Sequence, residues 1–257
     1  MLCFGIAVSD YYGTKADINE DSLPLSLARG YNWLVKFIGV SSALLYHIVR
    51  LIVRLLLWLL TRRRVRGRDN VPNHGSVIFV ANHVNLIDSP LLGVSLGRRV
   101  VFMAKEEVFH SRIIGYFMSS FGAFPVSKGR LDRKALRKAM QVLGDGQALV
   151  TFPEGMRSRS RRLKLAFPGA ALIASRSGAP VIPVGITGTE NIKGVAWLWR
   201  RPEITLNIGK AFTLPPVAGK LTKSELSRRT DIIMGHIAAL LPLEYRGNYA
   251  DRVIKCH

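Results

Sequence analysis

From Tyr31 to Leu60 the chain is almost continuously apolar and aromatic, broken by Lys36, His47, Arg50 and Arg54. Its longest stretch free of Lys and Arg, Phe37 to Val49, falls short of the about 20 residues that an unstrained bilayer crossing needs. Arg50 and Arg54 are spaced to share one helix face, where both side chains can snorkel to the same interface. The pattern predicts a helical membrane anchor over residues 25–62, lying in the bilayer surface or re-entering it. A helix buried in the core is the alternative. Residues 1–24 show no sustained period and read as a loose tail.

Beyond residue 63 short apolar runs alternate with helical periodicity. Ser76–Ala81, Val100–Ala104, Ala148–Phe152, Pro180–Ile186 and Glu203–Ile208 read as strands. A helix is expected from Asp88, with Pro90 tolerated in its first turn. Asp132–Leu143 carries Leu136, Ala139, Met140 and Leu143 on one stripe, and Gly144 and Gly146 end it. A further helix runs through Ala170–Ser175, and Thr222–Leu241 opens on Thr222 with Glu225 as a capping box. The expected fold is α/β: a largely parallel or mixed sheet covered by helices over residues 63–257, preceded by the anchor.

Charge narrows the partners. Lys and Arg outnumber Asp and Glu by 37 to 17, a formal charge of +20, which calls for an anionic partner. Arg62, Arg63, Arg64, Arg66 and Arg68 follow the apolar run directly, a placement suited to anionic headgroups on the cytoplasmic face of a membrane. The only cysteines, Cys3 and Cys256, form neither a disulfide framework nor a metal site. Asp10, Asp17, Glu20 and Asp21 interrupt the N-terminus, so a cleaved secretory signal is not expected.

The segment ANHVNLIDSP leaves a buried strand and delivers His83 and Asp88 to the turn before a helix. Sheets of this class place reactive side chains there, outside the carboxyl end of a strand. A neutral imidazole can take a proton from a hydroxyl as it attacks a carbonyl, and a carboxylate on the other ring nitrogen steadies the imidazolium. Arg157 follows the strand Ala148–Phe152, so the sheet can aim it at the same opening, with Glu154 free to hold a substrate hydroxyl or to pin Arg157. A planar guanidinium fork suits a phosphate monoester.

NHVNLID is followed in order by GAFPVSKGR, FPEGMRSRS and APVIPV. With these motifs the chain resembles the glycerolipid acyltransferase family, and within it the bacterial 1-acyl-glycerol-3-phosphate acyltransferases, over about residues 66–250. The resemblance implies that His83 is the general base and Asp88 its orienting partner. It implies that Lys105, Lys128, Glu154, Gly155 and Arg157 bind the acceptor's glycerol phosphate, that the strand Val181–Val184 lines the site, and that no metal or resident cofactor takes part. The acceptor is then a lysophospholipid and the donor an acyl thioester, acyl-CoA or acyl carrier protein. Three positions depart from the family pattern: Met156 where Thr is usual, Lys128 where Arg is usual, and Phe167–Pro168 where a Lys often precedes the Gly-Ala helix start. None touches the His-Asp pair.

Three rivals are weaker, one of them a non-catalytic membrane scaffold, which would tolerate loss of His83. GVSLG, Gly93–Gly97, matches the serine-esterase motif, yet Ser95 falls inside a helix with no strand ending before it. Basic residues interleaved with Tyr116, Trp197 and Trp199 suggest a base-stacking surface. No recognition-helix or RNA-binding motif accompanies them, and the WLWRR run reads as interfacial, so a membrane rather than a nucleic acid is the expected partner.

Overall fold

The computed structural model describes residues 42–110, 123–126, 133–215 and 221–252. In chain order its elements are α1 (Ser42–Leu60), β1 (Arg62–Arg66), β2 (Val77–Ala81), α2 (Asp88–Ser95), β3 (Val100–Lys105), β4 (Ala123–Val126), α3 (Arg133–Gly144), β5 (Ala148–Thr151), α4 (Gly169–Ser177), β6 (Val181–Thr187), the short α5 (Trp197–Arg200), β7 (Glu203–Ile208) and α6 (Lys223–Ala239). The strands form one seven-stranded sheet in the order β1-β7-β6-β2-β5-β3-β4. Strands β2 to β6 all run the same way. β7 returns antiparallel to β6, and β1 lies parallel to β7 at the edge. The sheet is therefore mixed with a parallel centre.

β2 explains why its sequence is an unbroken apolar run. Every residue of it is buried, as in a parallel sheet covered on both faces. Val77, Phe79 and Ala81 face a core that includes Leu91 and Leu92 of α2. Ile78 and Val80 face the opposite core, built with Ala139 of α3, Ala171 of α4 and Ile237 of α6. This three-layer packing holds the carboxyl ends of β2, β3, β5 and β6 along one edge, where the chemistry-bearing residues emerge.

Several expectations change in detail. α1 covers only the second half of the expected anchor, and residues 25–41 lie outside the described residues. It is not detached from the domain, because Val53 and Leu57 are buried in the sheet's core. Leu51, Leu55, Trp58 and Leu59 of the same helix are exposed. Among the described residues no helix is long and apolar enough to cross a membrane. Much of the arginine cluster belongs to the sheet: Arg62–Arg66 is the edge strand β1, whose backbone pairs with β7 while Arg64 reaches Glu203 at 3.1 Å. β4 was not expected as a strand; it lies within the motif GAFPV and includes Pro125. The capping box is half realised. Thr222 accepts the N–H of Glu225, but the Glu225 carboxylate turns to Arg229 at 2.9 Å.

Candidate active site

The chain leaves β2 at Ala81 and turns through residues 82–87 before α2 begins at Asp88. Asp88 Oδ2 gathers that turn around itself. It accepts the N–H of Val84 at 2.7 Å and of Asn85 at 2.8 Å, and lies 2.9 Å from His83 Nδ1. The carboxylate is fully buried and sits in the first turn of α2, where the helix dipole favours a negative charge. A carboxylate at Nδ1 sets the tautomer: the proton sits on Nδ1 and the lone pair on Nε2. His83 keeps 15% of its side chain exposed, so the imidazole reaches the surface. Phe152 stacks flat on it, with ring centroids 4.1 Å apart and planes inclined by 19°. The ring is thus held by a charge at one edge and an aromatic face.

The loop after β5 is laced to the same residue. Glu154, 1% exposed, accepts the main-chain N–H of His83 on Oε1 at 3.0 Å and the N–H of Lys164 on Oε2 at 2.9 Å. The N–H of Ser158 in turn donates to the His83 carbonyl at 2.7 Å. Burial pushes the Glu154 carboxyl up to about 7, against the pull of those two backbone donors. Gly155 adopts φ +62, and a Cβ there would stand 2.8 Å from the Phe167 ring, so only glycine fits without displacement. Arg157 is exposed next to Ser158, and its guanidinium makes no hydrogen bond or ion pair among the described residues.

Residues 62–187 match the family model described as Acyltransferase. The chain belongs to the acyltransferase family. The matched span begins at β1 and ends with β6, so it contains every residue of this site. The 1-acyl-sn-glycerol-3-phosphate acyltransferase of Streptococcus pneumoniae is 30% identical over 181 residues, 69% of this chain and 66% of that one. Its counterpart in Bacillus subtilis is 27% identical over 179 residues, 69% of this chain and 87% of that one. A chloroplastic 1-acyl-sn-glycerol-3-phosphate acyltransferase of Brassica napus is 28% identical over 182 residues, and this chain spans about half of its length, 52%. Among solved structures, the 1-acyl-sn-glycerophosphate (LPA) acyltransferase PlsC of Thermotoga maritima is similar, with a TM-score of 0.58 and 24% identity. The match covers 79% of this chain and 85% of that one, and it bears on the fold.

Against that family pattern the sequence-derived site residues divide. His83 and Asp88 are brought together, and the chain next to Arg157 is tied to them through the Ser158 N–H on the His83 carbonyl. The Glu154 carboxylate is buried and accepts main-chain N–H groups, and it makes no bond to Arg157 among the described residues. Lys105 ends β3 on the same edge of the sheet as His83. Lys128 lies outside the described residues. Ser95 is buried within α2, away from any strand-to-helix turn. Phe152, Asn85 and Ser158 were missed. Phe152 stood in the motif FPEG, but no spacing rule aligns an aromatic ring with an imidazole so distant in sequence.

Proposed function

We propose that this chain moves a fatty acyl group from a thioester donor to the free sn-2 hydroxyl of 1-acyl-glycerol-3-phosphate, forming phosphatidic acid. The observation that carries the proposal is the Asp88–His83 contact of 2.9 Å, which leaves Nε2 as a base, with the exposed Arg157 next in sequence to Ser158, whose N–H donates to the His83 carbonyl. Nε2 takes the hydroxyl proton as the oxygen attacks the thioester carbonyl. The tetrahedral intermediate collapses with cleavage of the carbon–sulfur bond, and the imidazolium returns its proton to the leaving thiolate. Asp88 stabilises the imidazolium between these two transfers. No acyl-enzyme forms, and the proton is handled by the histidine without a resident metal or cofactor. Arg157 holds the acceptor phosphate, with Lys105 and Lys128 adding positive charge, and the donor is acyl-CoA or acyl carrier protein.

The reading of α1 as a membrane anchor belongs to the same proposal. Its exposed leucines and Trp58 favour an amphipathic helix lying in the interface, with Arg50 and Arg54 at the headgroups of the cytoplasmic leaflet. Full-length protein is then expected to need detergent for extraction, and high salt alone is not expected to release it.

The test is a panel of purified full-length protein with 1-acyl-glycerol-3-phosphate, a choline lysolipid and glycerol 3-phosphate, each with both thioester donors. Phosphatidic acid should form from the first acceptor. Absence of that product, or faster transfer to the choline lysolipid, would reject the assignment.

A further inference from the structure

The connection between β6 and β7 is built like a bracket. At its root Glu190 is buried; its Oε2 accepts the N–H of Gly188 at 3.0 Å and its Oε1 accepts the Tyr245 hydroxyl. Asn85 Nδ2, from the turn that carries His83 and Asp88, donates to the carbonyls of Thr189 at 2.9 Å and Ile192 at 3.1 Å. Farther out, polarity inverts. Val195 is 75% exposed and Trp199 89%, the most exposed of the large apolar side chains among the described residues. Arg200 and Arg201 follow Trp199 directly. A side chain like Trp199 gains nothing from water, whereas an amphipathic indole beside arginines suits a membrane interface.

The bracket also touches α1. Arg201 Nη2 donates to the Trp58 carbonyl at 3.1 Å, and Trp58 is itself 66% exposed. Sheet topology puts these groups at the level of the active site. β6 runs parallel to β2, so its end, Thr187, lies on the edge where β2 delivers His83. β7 starts from that edge, paired Thr205 to Thr187, and β1 enters beside it, paired Arg62 to Glu203. The last turn of α1, the tip of the bracket and the catalytic turn therefore share one edge of the sheet.

We propose that the β6–β7 connection, with Trp199 at its tip, is a second lipid-contacting element that seats the catalytic edge on an anionic bilayer beside the C-terminal turns of α1. Asn85 joins this contact to the turn that holds the base, so seating presents the active site to an acceptor still resident in the membrane. The occupant is a lipid surface. Exposed Val195, Trp199 and Trp58 stand here with Arg200 and Arg201, neither of which meets a carboxylate among the described residues, and a bilayer interface satisfies both its apolar and its charged groups. The proposal rests on the reading of α1 as lipid-facing and of His83 as the base.

Full-length protein, Trp199→Ala and the conservative Trp199→Phe are compared on vesicles of phosphatidylcholine and phosphatidylglycerol. Rates are read with a long-chain 1-acyl-glycerol-3-phosphate carried in the vesicles and with a short-chain, water-soluble one. Trp199→Ala should slow transfer to the vesicle-borne acceptor roughly five- to tenfold, the size expected when an indole contact with lipid is removed. It should leave the soluble acceptor unaffected, and Trp199→Phe should restore most of the rate. Equal losses on both acceptors, or none on either, overturn the proposal. So does a loss seen only with an acyl carrier protein donor, which would make the bracket a protein-docking surface. Quenching of tryptophan fluorescence by brominated lipid reads the contact without catalysis. Wild type should be quenched more than Trp199→Phe, and equal quenching counts against the contact. If wild type transfers no acyl group to either acceptor while the quenching difference persists, the proposed reaction fails and the lipid contact stands.

Discussion

The main-chain N–H of His83 donates to Glu154 Oε1 at 3.0 Å, across 71 residues of sequence. This bond joins the turn after β2 to the loop after β5, and through the second oxygen of Glu154 to Lys164. Glu154 is thereby a positioning residue: it fixes the backbone of the proposed base without reaching the reacting atoms.

Its titration follows from that burial. The Glu154 carboxyl is raised from 4.5 to about 7, so between those values the folded protein holds a proton that the unfolded chain has released. The stability this group contributes is complete below pH 4.5 and lost as pH rises through about 7. The full swing is on the order of 3 kcal/mol. Glu154→Gln should remove this pH dependence, and its amide should lower activity because an N–H₂ group meets one of the two backbone donors. Denaturant unfolding of both proteins in detergent from pH 4 to 8 measures it, and parallel stability curves would count against a buried, proton-holding Glu154.

For the chemical step, His83→Ala should lower turnover by about 10²–10⁴-fold, and Asp88→Asn should also be severe. Asp88→Asn further disturbs the turn, since Oδ2 also receives the N–H groups of Val84 and Asn85. The double variant should be scarcely slower than His83→Ala, because the pair acts as a unit. Ser95→Ala should keep its activity, since the Ser95 hydroxyl is buried without a partner among the described residues. Trapping an acyl group on Ser95, or full activity in folded His83→Ala, would reject the mechanism.

Arg157→Ala should raise the acceptor's KM by an order of magnitude or more, since a charged hydrogen bond is worth roughly 1.5–3 kcal/mol. Because the guanidinium has no partner among the described residues, folding stability should hardly change. Steady-state kinetics against acceptor concentration, run beside thermal unfolding, separates the two effects. Unchanged acceptor dependence would remove Arg157 from phosphate binding.

Gly155→Ala should destabilise the fold by roughly 1–3 kcal/mol, because a Cβ meets the Phe167 ring and the backbone is left-handed. Phe167→Ala in the same chain should recover the steric part and leave the φ penalty. Unfolding of the single and double variants decides it; a single variant as stable as wild type would mean the ring is not held over Gly155.

What the sequence determined by itself is local. Glu203–Ile208 was readable to the residue as a strand because its burial alternates along the strand, and the run Val77–Ala81 because both its faces are covered. The N-cap Thr222 and the pairing of His83 with Asp88 were legible for the same reason, since each acts over a few residues. The tertiary structure alone decided the rest. β1 is a run of arginines that becomes a strand only because β7 offers its backbone, and β4 includes a proline and depends on β3 as its neighbour. Phe152 meets His83, and Glu154 meets the backbone of His83 and Lys164, only after β2 and β5 pair. The stripe of Val53 and Leu57 that docks α1 cannot be told from its exposed leucines by hydrophobicity. Periodicity records which face of an element is apolar, whereas contacts between distant segments are set by backbone pairing and packing that no local pattern encodes.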